Sequence, residues 1–242
     1  YLYNYYLRGS DQEYSDWGSA LFTWRSNPLL SENDVKEARR AVSKALFAQE
    51  YECEWTTTEA QIYEALDEGK HVGEYVGERF SEVIAGLDVG YRDDNVFVVI
   101  GFDGKSYYII DEYVSKESTT SELAARIQEK MDEWSIDTIY IDSAAQQLKA
   151  DFAYDYDIYC ENAVKSVNDG INYLQVLIEQ DNLFFDTLGS SHCFSAMSTY
   201  RWNPNTETPK PVHDWTSHPC DAIRYAIYTH SKMSNISIYA HG

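Results

Sequence analysis

The sequence predicts an α/β fold: a mixed sheet with helices on its faces, preceded by a mostly helical appendage. Three observations lead there. Three apolar runs follow one another with a tight-turn signal between the second and third, as an antiparallel meander requires. The hydrophobic period then changes from strand-like to helical and back, as parallel crossovers require. Residues 1–70 lack this alternation and are instead rich in tyrosine, tryptophan and charge.

Within residues 1–70 the clear period is helical. Val35, Ala38, Val42, Ala45 and Leu46 recur at spacings of three and four across 31–50, with Ser31 or Asn33 as N-cap and Asn27-Pro28 breaking the chain before them. Residues 67–77 are polar and hold three glycines, which places a boundary at 76/77. Residues 83–89 (VIAGLDV), 95–102 (NVFVVIGF) and 106–114 (SYYIIDEYV) read as strands, with Asp103-Gly104 as a hairpin turn. Residues 119–134 carry Leu123, Ile127, Met131 and Trp134 on one helical face. The run 138–142 (TIYID) follows that helix and is expected to return parallel to the first strand.

A polar helix at 144–152 and a short strand at 158–160 come next. A helix capped by Asp169 then carries Ile171, Leu174 and Ile178, and 183–185 reads as an edge strand. Residues 194–215, with Asn203-Pro204 and further prolines, read as a long hairpin or loop. The last helix covers 219–231, with Pro219 in its first turn, where the missing N–H costs nothing.

The chain of 242 residues has room for one sizeable domain with an appendage, and a hydrophobic content of 44% supports a full core. No apolar stretch approaches the roughly 18 residues that span a bilayer. The first residues, YLYNYYLRGS, lack the basic and apolar regions of a signal peptide. Cys53, Cys160, Cys193 and Cys220 are too scattered for a zinc knuckle or a disulfide scaffold, so a reducing, cytoplasmic setting is expected. The formal charge of −21 argues against broad electrostatic attraction to nucleic acid. Any DNA contact has to come from a local basic strip, from bound metal, or from another polypeptide.

Asp88 lies inside VIAGLDVG and Asp142 closes TIYID. An ionised carboxylate in an apolar strand is costly unless it is paired or holds a cation. Either alone could simply end its strand; two on neighbouring strands favour a cation site. Asp221 lies three residues after His218 in SHPCDAIRYA, so both side chains share a helix face. Alone, an ion pair with Arg224 or a helix-dipole role would explain it. Together the three acids offer what two-metal phosphodiester cleavage needs. Oxygen ligands hold two hard cations roughly 4 Å apart, one activating water and one stabilising the leaving oxygen.

The stretches VIAGLDVG, IYIDSAAQQLKADF, AVKSVNDGINYL and HDWTSHPCDAIRYA resemble, in order and spacing, the nuclease domain of tailed-phage terminase large subunits. The pattern D-x-x-x-H-x-x-D-A-[IL]-R-Y is the most specific of them. WRSNPLLSENDVKEARRAVSKALFAQEYECEW is similar to the end of that family's packaging ATPase domain. The resemblance implies a ribonuclease H-like domain over 77–242, with 1–76 as the ATPase-domain tail and linker. It implies an endonuclease that cuts concatemeric double-stranded viral DNA during genome packaging, with two divalent ions, Mg2+ or Mn2+. Asp88, Asp142 and Asp221 match the family's metal-binding acids, and His218 matches a histidine beside the third acid in some members. The partners implied are double-stranded DNA and, for the full-length protein, portal protein and the small terminase subunit. The isolated domain is expected to be a monomer in the host cytoplasm.

Other residues take lesser parts. Lys165, with Ser166, matches a lysine–serine pair of the family, and Lys165, Arg201, Lys210 and Arg224 are candidates for DNA-backbone contacts. Asp214 is an auxiliary ligand or, better, a turn aspartate; Glu161, Asp93 and Asp94 read as solvated. With no recognition helix or base-reading motif in view, little sequence specificity is expected. Nothing matches G-x-x-x-x-G-K-[ST] or the paired acids of a Walker B strand, so no ATP-hydrolysing core is expected.

Two other readings compete. GLDVG resembles the first phosphate loop of actin-like ATPases, but glycines are few after Gly104 (Gly170, Gly189 and Gly242), leaving no adenosine site. A non-catalytic assembly module that docks on portal or small subunit suits the acidity, yet it leaves the acids in apolar strands unexplained.

Overall fold

The computed structural model describes residues 2–9, 12–55, 61–90, 94–206 and 208–239, without the side chains of 2–4, 12 and 234–239. Its contacts divide into two compact units, Tyr1–Ala60 with Trp202–Lys210, and Gln61–Arg201 with Pro211–Gly242. The first unit holds α1 (Leu2–Arg8), α2 (Glu32–Ala41) and α3 (Lys44–Tyr51). The single helix expected across 31–50 is thus two. Ser31 and Asp34 form a capping box on α2, with Ser31 N–H donating to Asp34 Oδ2 at 2.8 Å. Val42 then turns extended (φ −128°, ψ 157°), and Ser43 Oγ caps α3 by accepting from Leu46 N–H. A second serine cap outweighs an unbroken apolar period.

The second unit runs α4 (Glu68–His71), β1 (Val72–Gly73), β2 (Glu82–Asp88), β3 (Asp94–Phe102), β4 (Tyr107–Lys116), α5 (Thr120–Trp134) and β5 (Thr138–Ile141). It continues through α6 (Gln146–Asp155), β6 (Cys160–Asn162), α7 (Val167–Glu179), β7 (Leu183–Asp186), α8 (Ser191–Thr199) and α9 (Ser217–Tyr239). The seven strands lie in the order β1-β7-β4-β3-β2-β5-β6. β2, β3 and β4 form the expected antiparallel meander, and β5 returns parallel to β2 with Leu87 opposite Ile141. This is a mixed α/β sheet of the ribonuclease H-like kind.

Four local expectations differ. The strand β7 is interior, parallel to both β1 and β4, because two residues from the stretch read as a linker pair with it. The boundary expected at 76/77 accordingly lies inside the second unit. Residues 194–215 are not wholly a hairpin or loop, since α8 occupies 191–199 with Cys193, Ala196 and Met197 buried. Asp169 does not cap α7: Ser166 holds the N-cap position and Asp169 sits in the first turn, accepting from Ser166 Oγ. The hairpin turn is as expected; Asp103 Oδ1 accepts from Lys105 and Ser106 N–H, and Gly104 has φ +100°.

Both faces of the sheet are covered, so every residue of β3 from Asp94 to Gly101 is buried. On one face Ala85, Leu87, Phe97, Val99 and Ile141 meet Leu123, Ala124 and Ile127 of α5 and Phe152 of α6. On the other, α9 packs across β2, β3 and β5, with α7 and α8 beside it. None of the described helices is long and apolar enough to cross a membrane.

The β7 end is tied by Asp186, whose carboxylate accepts from the N–H groups of Tyr75, Val76, Leu188 and Gly189 at 2.8–3.1 Å. Burial alone would raise its pKa, but these four donors together hold it below the ordinary 3.8. Asp186→Ala leaves the donors unpaired and is expected to cost about 2–4 kcal/mol near neutral pH. A group with a depressed folded pKa stabilises above its unfolded value and loses that contribution as pH falls through the folded one. Chemical denaturation should therefore show wild type and variant converging below about pH 4; an equal gap at acid pH would contradict the assignment.

Candidate active site

The site is built where α9 rests on bare backbone. A Cβ added at Gly86 in β2 would lie 1.9 Å from the Ala222 carbonyl oxygen. Only glycine allows that approach. Side chains alternate along a strand, so Asp88 shares the face of Gly86 and points to α9. Four residues before Ala222, His218 shares its side of the helix, and His218 Nδ1 lies 2.6 Å from Asp88 Oδ2.

Asp142 comes to the same sheet end because Leu87 and Ile141 are opposite one another and each acid is the next residue. Its Oδ1 accepts from Ala144 N–H at 2.9 Å and from Lys165 Nζ at 2.8 Å. Burial would raise the Asp142 pKa, but Lys165 and the Ala144 N–H outweigh it and hold the carboxyl below its ordinary value.

Asp221, in the first turns of α9, takes Nη2 of Arg224 on Oδ1 at 2.8 Å and Nε at 3.2 Å. Its pKa is raised, first by burial and then by the like charge of Asp88, against the pull of Arg224. The phenol of Tyr225 is pushed up by burial and further by Asp88, Asp221 and Asp142.

The structure thus brings Asp88, Asp142, Asp221 and His218 to one end of the sheet, each acid beside a cationic or imidazole group. Lys165 joins them through Asp142, its side chain 54% exposed and accessible to solvent. Arg201 Nη2 lies 3.3 Å from Asp214 Oδ2, and Asp214 Oδ1 accepts from Thr216 N–H and Oγ1. Asp214 is thus a turn aspartate leading into α9. Lys210 is exposed and belongs to the first compact unit. Glu161 is exposed as expected, and Asp93 lies outside the described residues. Asp94 corrects the expectation of solvation: it starts β3 at 8% exposure, 3.6 Å from Lys116 Nζ.

Arg224 also corrects its expectation as a DNA contact. It is 2% exposed and stacks over Tyr225 with Cζ 4.7 Å from the ring centroid. A Cβ at Gly170 in α7 would come within 2.7 Å of its Cγ and Cδ. The glycines in VIAGLDV and VNDGINY were the available signals for both close approaches, since a glycine inside a strand or helix marks a place where something comes near.

The donor set is all oxygen from three aspartates, the chemistry hard divalent cations take. Among the described residues no three His, Cys, Asp or Glu side chains converge closely enough to hold one ion.

Comparison with known proteins agrees with this architecture. The sequence profile of the terminase RNaseH-like domain matches residues 85–229, a span that holds all three acids. The chain is similar to the terminase large subunit of Escherichia phage T5, 38% identical over 94% of this chain and 55% of that protein. It spans about half the length of that relative. The large terminase of a thermophilic bacteriophage superposes with a TM-score of 0.73 at 22% identity, covering 88% of this chain and 54% of that one. The large-terminase nuclease domain of bacteriophage SPP1, solved with bound Mn, gives 0.54 at 23% identity, covering 69% and 97%. With the profile matched over more than half its length and the relative sharing more than a third of its residues, the chain belongs to the terminase RNaseH-like domain family.

Proposed function

We propose that this chain is a metal-dependent endonuclease that cuts concatemeric double-stranded viral DNA during genome packaging. The observation that carries the reading is the meeting of Asp88, Asp142 and Asp221, from β2, β5 and α9, at one sheet end within the matched span. Asp88, Asp142 and Asp221 would together hold the divalent ions. Divalent ions, Mg2+ or Mn2+, supply charge neutralisation at the phosphate and activation of water. His218 orients Asp88 through Nδ1. Arg224 occupies one oxygen of Asp221, which directs the other to the site. Lys165 gives a phosphate a cationic neighbour beside Asp142.

Contact with DNA is proposed to be through the backbone and largely blind to sequence. Portal protein and the small terminase subunit are proposed partners of the longer protein, which acts in the host cytoplasm. The charge of −21 fits a weak intrinsic hold on DNA, with the duplex presented by other components.

Incubating plasmid DNA with the chain and Mn2+ should nick and linearise it, and EDTA should stop this. Asp88→Ala and Asp221→Asn should each lower the rate about 100-fold or more, a loss of several kcal/mol of transition-state stabilisation. Cutting that survives either the chelator or Asp88→Ala would refute the reading. Lys165→Ala should cost less, about tenfold, and should reduce the slope of log rate against log salt by roughly one. Wild-type cutting should fall steeply with salt; rapid, salt-insensitive cutting would rule out weak backbone binding.

A further inference from the structure

Asn95 in β3 is 3% exposed, and its Oδ1 has no hydrogen-bond partner among the described residues. Ser115 in β4, directly opposite in the antiparallel pair, has a buried hydroxyl in the same condition. Opposed residues of such a pair share a face. Here it is the face of Phe97 and α5, away from α9. Buried polar groups without partners cost stability, so two side by side call for an explanation.

Asn95 lines a cavity of about 590 Å³ at the sheet end where β2 gives way to Val89. That volume is within the usual range of small-ligand sites, about 300–1,000 Å³. Val89, Leu123 and Leu148 give it apolar walls, and Glu117 and Asp151 add carboxylates. Among the described residues no basic side chain lines it. Gln147 Nε2 donates to Asp151 Oδ1 at 2.7 Å and fixes that carboxylate. Glu117 has φ +52°, a left-handed conformation that non-glycine residues adopt at a cost.

The two carboxylates disfavour a phosphate, while the hydroxyls of Ser118, Thr119 and Thr120 beside them can donate or accept. Apolar walls with acceptors suit a flat group carrying N–H donors, which describes a nucleobase. Guanine offers two adjacent donors, N1–H and N2–H2, on one edge, and a carboxylate accepts such a pair with both oxygens. Adenine and cytosine each bring a single amine, and thymine a single imide N–H. Val89 follows Asp88 directly, about 3.8 Å away at Cα. Its side chain packs on the α5 face while that of Asp88 points to α9. Val89, which lines the cavity, thus joins it to the strand end that carries Asp88.

We propose that the cavity receives one unpaired guanine of the DNA strand held at the acids, turned out of the duplex or already single-stranded. It adds a preference at a single position to binding that is otherwise blind to sequence. The origin of the strand rests on the nuclease reading; binding of the base is measurable without cutting.

Saturation-transfer NMR with deoxyguanosine, deoxyadenosine, deoxycytidine and thymidine, in EDTA, tests this on the whole chain. Deoxyguanosine should give the strongest saturable signal, weakened about tenfold or more in Asn95→Leu and in Asp151→Asn. Asn95→Leu removes a buried carbonyl oxygen that has no partner, so its melting temperature should not fall while binding is weakened. Asp151→Asn, at a half-exposed helix position, should keep the wild-type melting temperature and serves as the second variant. Equal signal from all four nucleosides, or a signal unchanged in both variants, overturns the proposal. Cutting in Mn2+ without any nucleoside signal removes it and leaves the nuclease reading; guanosine binding without cutting does the reverse.

Discussion

Helix α9 lies directly on the backbone of β2 at Gly86, and the position of every other part of the site follows from that contact. A methyl group there would meet the Ala222 carbonyl at 1.9 Å and lever the helix away from the sheet. With the gap closed, His218 and Asp221 descend on the strand end that presents Asp88, and the register of β2 with β5 adds Asp142. A second close approach, at Gly170, lets the buried Arg224 pass between α7 and α9 to reach Asp221. Two glycines thus make room for two charges.

The electrostatics of the site are local and do not follow the chain's overall charge. Acidic residues number 40 against 19 basic ones, yet each of the three central aspartates has its own partner: His218, Lys165 or Arg224. The partners differ in kind. Lys165 is half exposed, whereas Arg224 is enclosed by Gly170 and Tyr225. A guanidinium so enclosed keeps its geometry, and a solvated ammonium can move to a phosphate.

Much of this was legible in the sequence, wherever the determinants were local. The meander, α5 and β5 followed from period and turn chemistry, and Asp88, Asp142 and Asp221 stood out against their apolar or motif-bearing surroundings. Helix α8 was not legible because its N-terminus is capped from a distance: Glu112 of β4 accepts from the N–H groups of His192 and Cys193. No local pattern in SSHCFSAMST announces that partner. The interior position of β7 was hidden because β1 is only two residues long and lies in a stretch that reads as a linker. The burial of Arg224 depends on a missing Cβ at Gly170, far back along the chain, and nothing in the run 95–102 marks Asn95 as buried without a partner. Partners distant in sequence leave no periodic trace.

The length of α9 has a mechanical consequence. At about 1.5 Å per residue its 23 residues form a rod roughly 34 Å long. Its first turns carry Asp221 and His218, whereas Asp88 and Asp142 are fixed in the sheet. Contacts at Gly86, at Gly170 through Arg224 and at Tyr107 through His230 hold the rod against the sheet. The three carboxylates thus come from two carriers, a pair of strands and a helix, whose relative position is fixed at several points along the rod.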